Sequence, residues 1–137
     1  MPQRDYLMQQ LEEMGYFLAS LIRRVMKLKD ESREEDITEM LHAMIQEKLA
    51  FSIDEALTID NQGFIDLMKE HFRTEDQLEQ MAELLMLTGK SIHPMSLQRI
   101  SYLGKALLLF THLQQTSINF SFSRKDKMIE LQQLLNS

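Results

Sequence analysis

The chain has no cysteine and no tryptophan, and only two prolines and four glycines in 137 residues. Without cysteine there is no disulfide, no thiolate zinc site and no thiol nucleophile, and a reducing compartment is permitted. Four scattered glycines (Gly15, Gly63, Gly89, Gly104) are too few for a P-loop, a dinucleotide fingerprint or a G-x-S-x-G elbow. No cofactor signature is left. Long apolar runs are missing too: the most apolar stretch, Ala106 to Phe110, is far too short to span a bilayer. The opening MPQRDYLMQQ carries charges where a signal peptide needs an apolar run. These absences predict a cytoplasmic protein with no membrane span.

What is present favours helices. Leu, Met, Gln, Glu and Lys abound while helix breakers are rare, and the length suits one domain over residues 1–137 with a core of its own. Leu7, Leu11, Met14, Leu18, Leu21, Val25 and Leu28 alternate at spacings of four and three, one stripe of a helix over about residues 4–29. Arg23, Arg24, Lys27 and Lys29 then fall where the negative end of its dipole lies. Capping-box patterns recur at Ser32 to Glu35, Ser52 to Glu55 and Thr74 to Gln77. They predict a second helix with Met40, Leu41, Met44, Ile45 and Leu49 inward, a short third helix through Thr58, and a further helix that stops at Gly89.

Pro94 marks the first turn of a long helix, roughly 95–116, with Ile100, Leu103, Leu107 and Phe110 on its apolar line. Leu108 and Leu109 fall outside that line, so this helix must be covered on more than one side. Phe120 and Phe122 are predicted in an extended link before a last helix carrying Met128, Ile129, Leu131, Leu134 and Leu135. The expected fold is all-α, a compact array of about six to seven helices. Gly15 and Gly104 interrupt helical patterns at about 1 kcal/mol each relative to alanine, which a close helix–helix contact would explain. Eleven methionines serve either as core filling, as the inward Met40, Met44 and Met81 suggest, or as an adaptable binding surface.

Three motifs have spacings that bear on chemistry. The stretch Thr58 to Lys69 places Gly63 and Ile65 as an EF-hand loop would, but Thr58 and Lys69 stand where its first and last carboxylates belong; a helix-start turn fits better. Glu39-x-x-His42 has the spacing of two metal ligands on one helix face, without the second pair that a di-metal bundle needs. The basic run Ser123 to Lys127 is too short to indicate nucleic-acid binding. No residue is assigned a catalytic or metal-binding role.

Charge is unevenly placed. The net −6 concentrates in residues 30–83, and Glu34, Glu35 and Asp36 form a candidate acidic face for a protein partner. The alternatives are a structural homodimer through the first helix, with Leu18 and Leu21 as its seam, and a small ligand-binding protein or enzyme without a recognisable motif.

The segments Asp5-Tyr6-Leu7, Leu11 to Gly15, Leu18-Ala19, Ala82 to Leu85 and Lys105 to Leu109 resemble an uncharacterised bacterial all-helical family whose members look like degenerate tetratricopeptide-repeat (TPR) proteins. Leu103-Gly104-Lys105-Ala106-Leu107 resembles the second helix of such a repeat, with Leu103 in the usual aromatic place, Arg99 where a small residue is expected, and Gly89 too far upstream for a 34-residue unit. The resemblance implies TPR-like antiparallel helix pairs and a non-catalytic interaction or scaffold role.

Overall fold

A computed structural model describes residues 2–137. Seven α-helices follow one another: α1 Pro2–Asp30, α2 Ile37–Leu49, α3 Ile53–Ala56, α4 Asn61–His71, α5 Glu75–Ser91, α6 Leu97–Thr116 and α7 Phe122–Leu135. No strand occurs among the described residues. The fold is all-α, as the periodicities require.

Helix starts follow local chemistry. Ser52 accepts the Glu55 N–H at 3.3 Å, Asp60 that of Gly63 at 3.1 Å and Thr74 that of Gln77 at 3.1 Å. Ser96 and Ser121 cap α6 and α7 in the same way. Each such cap satisfies one of the free donors of a helix start and contributes about 1 kcal/mol. Asp60 and Gly63 are therefore a helix cap, not a calcium loop. Phe122 opens α7 rather than lying in a link.

Ser32 departs from its predicted role. Its φ of 58° is left-handed, the Arg33 N–H bonds the Leu28 carbonyl at 2.8 Å, and the Ser32 N–H bonds that of Lys29 at 3.1 Å. That pattern is a Schellman ending, so Ser32 closes α1 instead of opening α2. A 3-10 turn, Glu34–Asp36, leads into α2 with no side-chain cap.

The long helices stack in the order α1, α5, α6, α7. Five-residue connections, 92–96 and 117–121, make α5 and α6, then α6 and α7, helical hairpins. The core between them includes Leu18, Leu21 and Val25 of α1, Met81 and Leu85 of α5, Tyr102, Leu109 and Phe110 of α6, and Leu131 of α7. α2, α3 and α4 add Ile37, Leu41, Ile45, Ile53, Phe64 and Met68. Met40 and Met44 pack against this core and Met81 is enclosed by it. Leu108 and Leu109 are covered as well, since α6 meets α4, α5 and α7 together.

Glycine roles are the reverse of the sequence expectation. A Cβ at Gly15 or Gly104 would meet nothing within 4 Å, so neither marks a close contact. At Gly89 it would lie 2.8 Å from Leu103 Cδ2 and 3.0 Å from both Leu103 Cγ and Tyr102 Cβ. Gly89 does not stop α5, which runs on to Ser91. It lets α6 approach.

Charges join α7 to α5. Arg124, only 7% exposed, donates Nε to both Glu79 carboxylate oxygens at 3.2 and 3.1 Å and Nη1 to Gln114 at 2.9 Å. Lys127 pairs with Glu83, and Lys90 with Glu130. The short basic run of the sequence is thus partly spent on packing, which buried arginine–carboxylate geometry favours.

Candidate functional site

Glu34 and Glu35, in the 3-10 turn before α2, face the α5–α6 connection across an open cleft of about 670 Å³. Thr38 stands beside them, and Ile92, Pro94 and Gln98 form the opposite wall. Met95 and Leu97, next along the chain, are 85% and 82% exposed. Ile100, one turn further, is 57% exposed rather than on the inward line.

Hydrogen bonds hold this wall in place. Arg99 Nη1 donates to the carbonyls of Gly89, Lys90 and Ile92 at 3.4, 3.1 and 2.9 Å, covering carbonyls that the end of α5 leaves open. The Met95 N–H donates to His93 Nδ1 at 3.1 Å, and the Ser96 N–H to the His93 carbonyl at 2.9 Å. The arginine that stood in the place of a small repeat residue is therefore a clamp on the turn. Met95 and Ile100 occupy the positions of a hydrophobic staple around Ser96, yet both remain exposed. The turn presents them outward.

On the acidic side, Asp36 bonds Arg33 Nε at 2.9 Å, and Arg33 also lies 4.0 Å from Glu31. Neither Glu34 nor Glu35 has an ion-pair partner among the described residues. Across the cleft, Lys90 is held by Glu130 and Arg99 by the carbonyls above. Residues 30–39 hold six acidic groups and one basic one, so this side of the cleft carries a negative potential, while Arg99 on the opposite wall keeps its positive charge. Of the three predicted acidic residues, two are available to a partner and the third is tied to Arg33.

Leu18 and Leu21 lie elsewhere. Both are 0% exposed, inside the chain's own core, because α5 covers this part of α1. A seam through α1 would have to use other residues. Glu39 and His42 do not converge on a third ligand: among the described residues no three His, Asp or Glu side chains gather as a metal site would require. His42 instead has its Nδ1 3.6 Å from Asp54. Tyr102 is fully buried with its hydroxyl unpartnered, and burial, with the Asp54 carboxylate adding, pushes its phenol well above the ordinary range.

No described helix is long and apolar enough to cross a membrane. No family model matches the chain, and neither does any curated protein or solved structure. The exposed side chains Met95, Leu97 and Ile100 were the part that sequence reasoning missed. Their spacing around Ser96 reads as ordinary amphipathic helix, and only the Arg99 clamp shows that they face out.

Proposed function

We propose that the protein is a non-catalytic interaction module, a TPR-like stack of helical hairpins, whose partner is a protein segment combining basic residues with one or two large apolar side chains. The observation that carries this reading is one open cleft lined by two carboxylates without ion partners, Glu34 and Glu35, and by Ile92 and Pro94, with the exposed Met95 and Leu97 next along the chain from its wall. Apolar side chains scattered singly need no explanation, but several held on a clamped turn beside unpaired charge fit a docking site. The charges set approach and register, and the apolar residues supply most of the affinity. The TPR-like description rests on the successive hairpins α5–α6 and α6–α7 and on the Leu103 to Leu107 segment. Cytoplasmic location fits the absence of cysteine.

The test is affinity capture from native lysate with wild-type protein and a Glu34→Arg/Glu35→Arg variant. A stoichiometric protein recovered by the first, lost by the second and weakened by salt supports the proposal. Equal recovery by both excludes the acidic cleft.

A further inference from the structure

His93 lines the same cleft as Glu34 and Glu35 and holds the turn that presents Met95. Its Nδ1 accepts the Met95 N–H at 3.1 Å, which places the proton of the neutral ring on Nε2. Pro94 has no N–H to offer, so this bond and the one from the Ser96 N–H to the His93 carbonyl at 2.9 Å tie the turn between α5 and α6. Imidazole is the side chain that changes charge within the physiological range. A protonated Nδ1 is a donor and no longer accepts the Met95 N–H. Two donors then face each other, and the ring must turn away.

The charges around the ring decide where it goes. Lys90, near the end of α5, and Arg99, in the first turn of α6, line the cleft as cations. Lys90 is matched by Glu130 of α7, whereas Arg99 bonds neutral carbonyls and repels an imidazolium. Glu34 and Glu35, in the 3-10 turn before α2, are the carboxylates lining the cleft, and neither has an ion-pair partner among the described residues. We infer that His93 is a proton-driven latch. Neutral, it holds the Met95 turn in the shape that docks a partner; protonated, it releases Met95 and pairs with Glu34 or Glu35, filling the acidic side of the cleft. Resting on the reading of this cleft as a docking site, the latch adds its regulation. A basic, apolar segment binds at neutral pH and is released on acidification, because His93 then competes for the same carboxylates.

The experiment follows the full chain by nuclear magnetic resonance from about pH 8 to about pH 5.5, the span over which imidazole changes charge. His93→Asn is the variant, since an asparagine side-chain oxygen also accepts an N–H two residues on but takes no proton. In the wild type the Met95, Glu34 and Glu35 amide signals should follow the His93 imidazole on one curve, and in His93→Asn they should stay flat. A Met95 signal that ignores the His93 titration overturns the latch, as do Glu34 and Glu35 signals that ignore it. Binding is read separately with a fluorescent hexapeptide of alternating arginine and leucine. Wild type should lose about tenfold in affinity between about pH 7.5 and about pH 5.5, the scale of one close charge pair, and His93→Asn should bind equally at both. Equal wild-type affinity at the two pH values overturns the regulation. A hexapeptide bound at neither pH contradicts the docking reading instead, and the resonance curves then decide the latch on their own.

Discussion

Replacing Gly89 with alanine, and Gly104 with alanine as its counterpart, separates the backbone preference of glycine from its use as a contact. Both sit inside helices, α5 and α6, so both substitutions gain about 1 kcal/mol of helix propensity. At Gly104 nothing opposes the gain. At Gly89 the new Cβ would stand 2.8 to 3.0 Å from three carbon atoms, and Leu103 and Tyr102, at 1% and 0% exposure, have little room to retreat. A rotamer change does not relieve the Cδ2 contact, because Leu103 is enclosed, and the Tyr102 Cβ contact moves only with the backbone. Overpacking of this kind costs about 1 to 3 kcal/mol. Gly104→Ala should therefore exceed Gly89→Ala in stability by about 1 to 3 kcal/mol, with the propensity gain cancelling between them. In a chain of this size each 1 kcal/mol moves the thermal midpoint by about 3 to 5 °C. Urea unfolding and thermal melts followed by circular dichroism read the difference directly. Equal stabilisation by both substitutions would refute the close approach of α5 and α6.

Other substitutions probe separate parts of the fold. Ala50 closes α2 with a left-handed φ of 57°, so Ala50→Gly should stabilise by about 1 kcal/mol in the same urea assay. Arg124→Ala would leave Glu79 partly buried without its cation; breaking such a pair should cost about 3 kcal/mol, with loss of amide protection in α7 by hydrogen exchange. Tyr102→Phe removes a buried hydroxyl that bonds nothing among the described residues and should raise stability by about 1 kcal/mol or leave it unchanged, as differential scanning calorimetry would show.

The parts of the fold legible in the sequence are those fixed by neighbours a few residues apart. Ser52 and Thr74 cap helices because the cap bond spans three residues, and the pattern alone specifies it. The α1 stripe is read from spacing in the same way. What spacing cannot show is which partner covers a face. Leu7 and Leu18 are equivalent in periodicity, yet α5 packs over one and leaves the other exposed. Ser32 matched a cap pattern but was taken by the ending of the preceding helix, a competition between two local motifs. Gly15, Gly89 and Gly104 differ only in what approaches them across space, and Arg99 shows its role only once three carbonyls of the preceding helix end surround it. The acidity of Glu34 and Glu35 was legible; the apolar turn opposite them was not, since it depends on how the hairpin closes.

The central claim is that the cleft between Glu34, Glu35 and the α5–α6 turn receives a protein partner. The most direct measurement places a photo-cross-linking amino acid at Gln98, which lines the cleft, and separately at Gln132, exposed on α7, in cells that make the protein. A discrete cross-linked protein is expected from position 98 alone, lost when Glu34 and Glu35 are reversed to arginine. The same adducts from both positions, or adducts at 98 that survive the charge reversal, would contradict it.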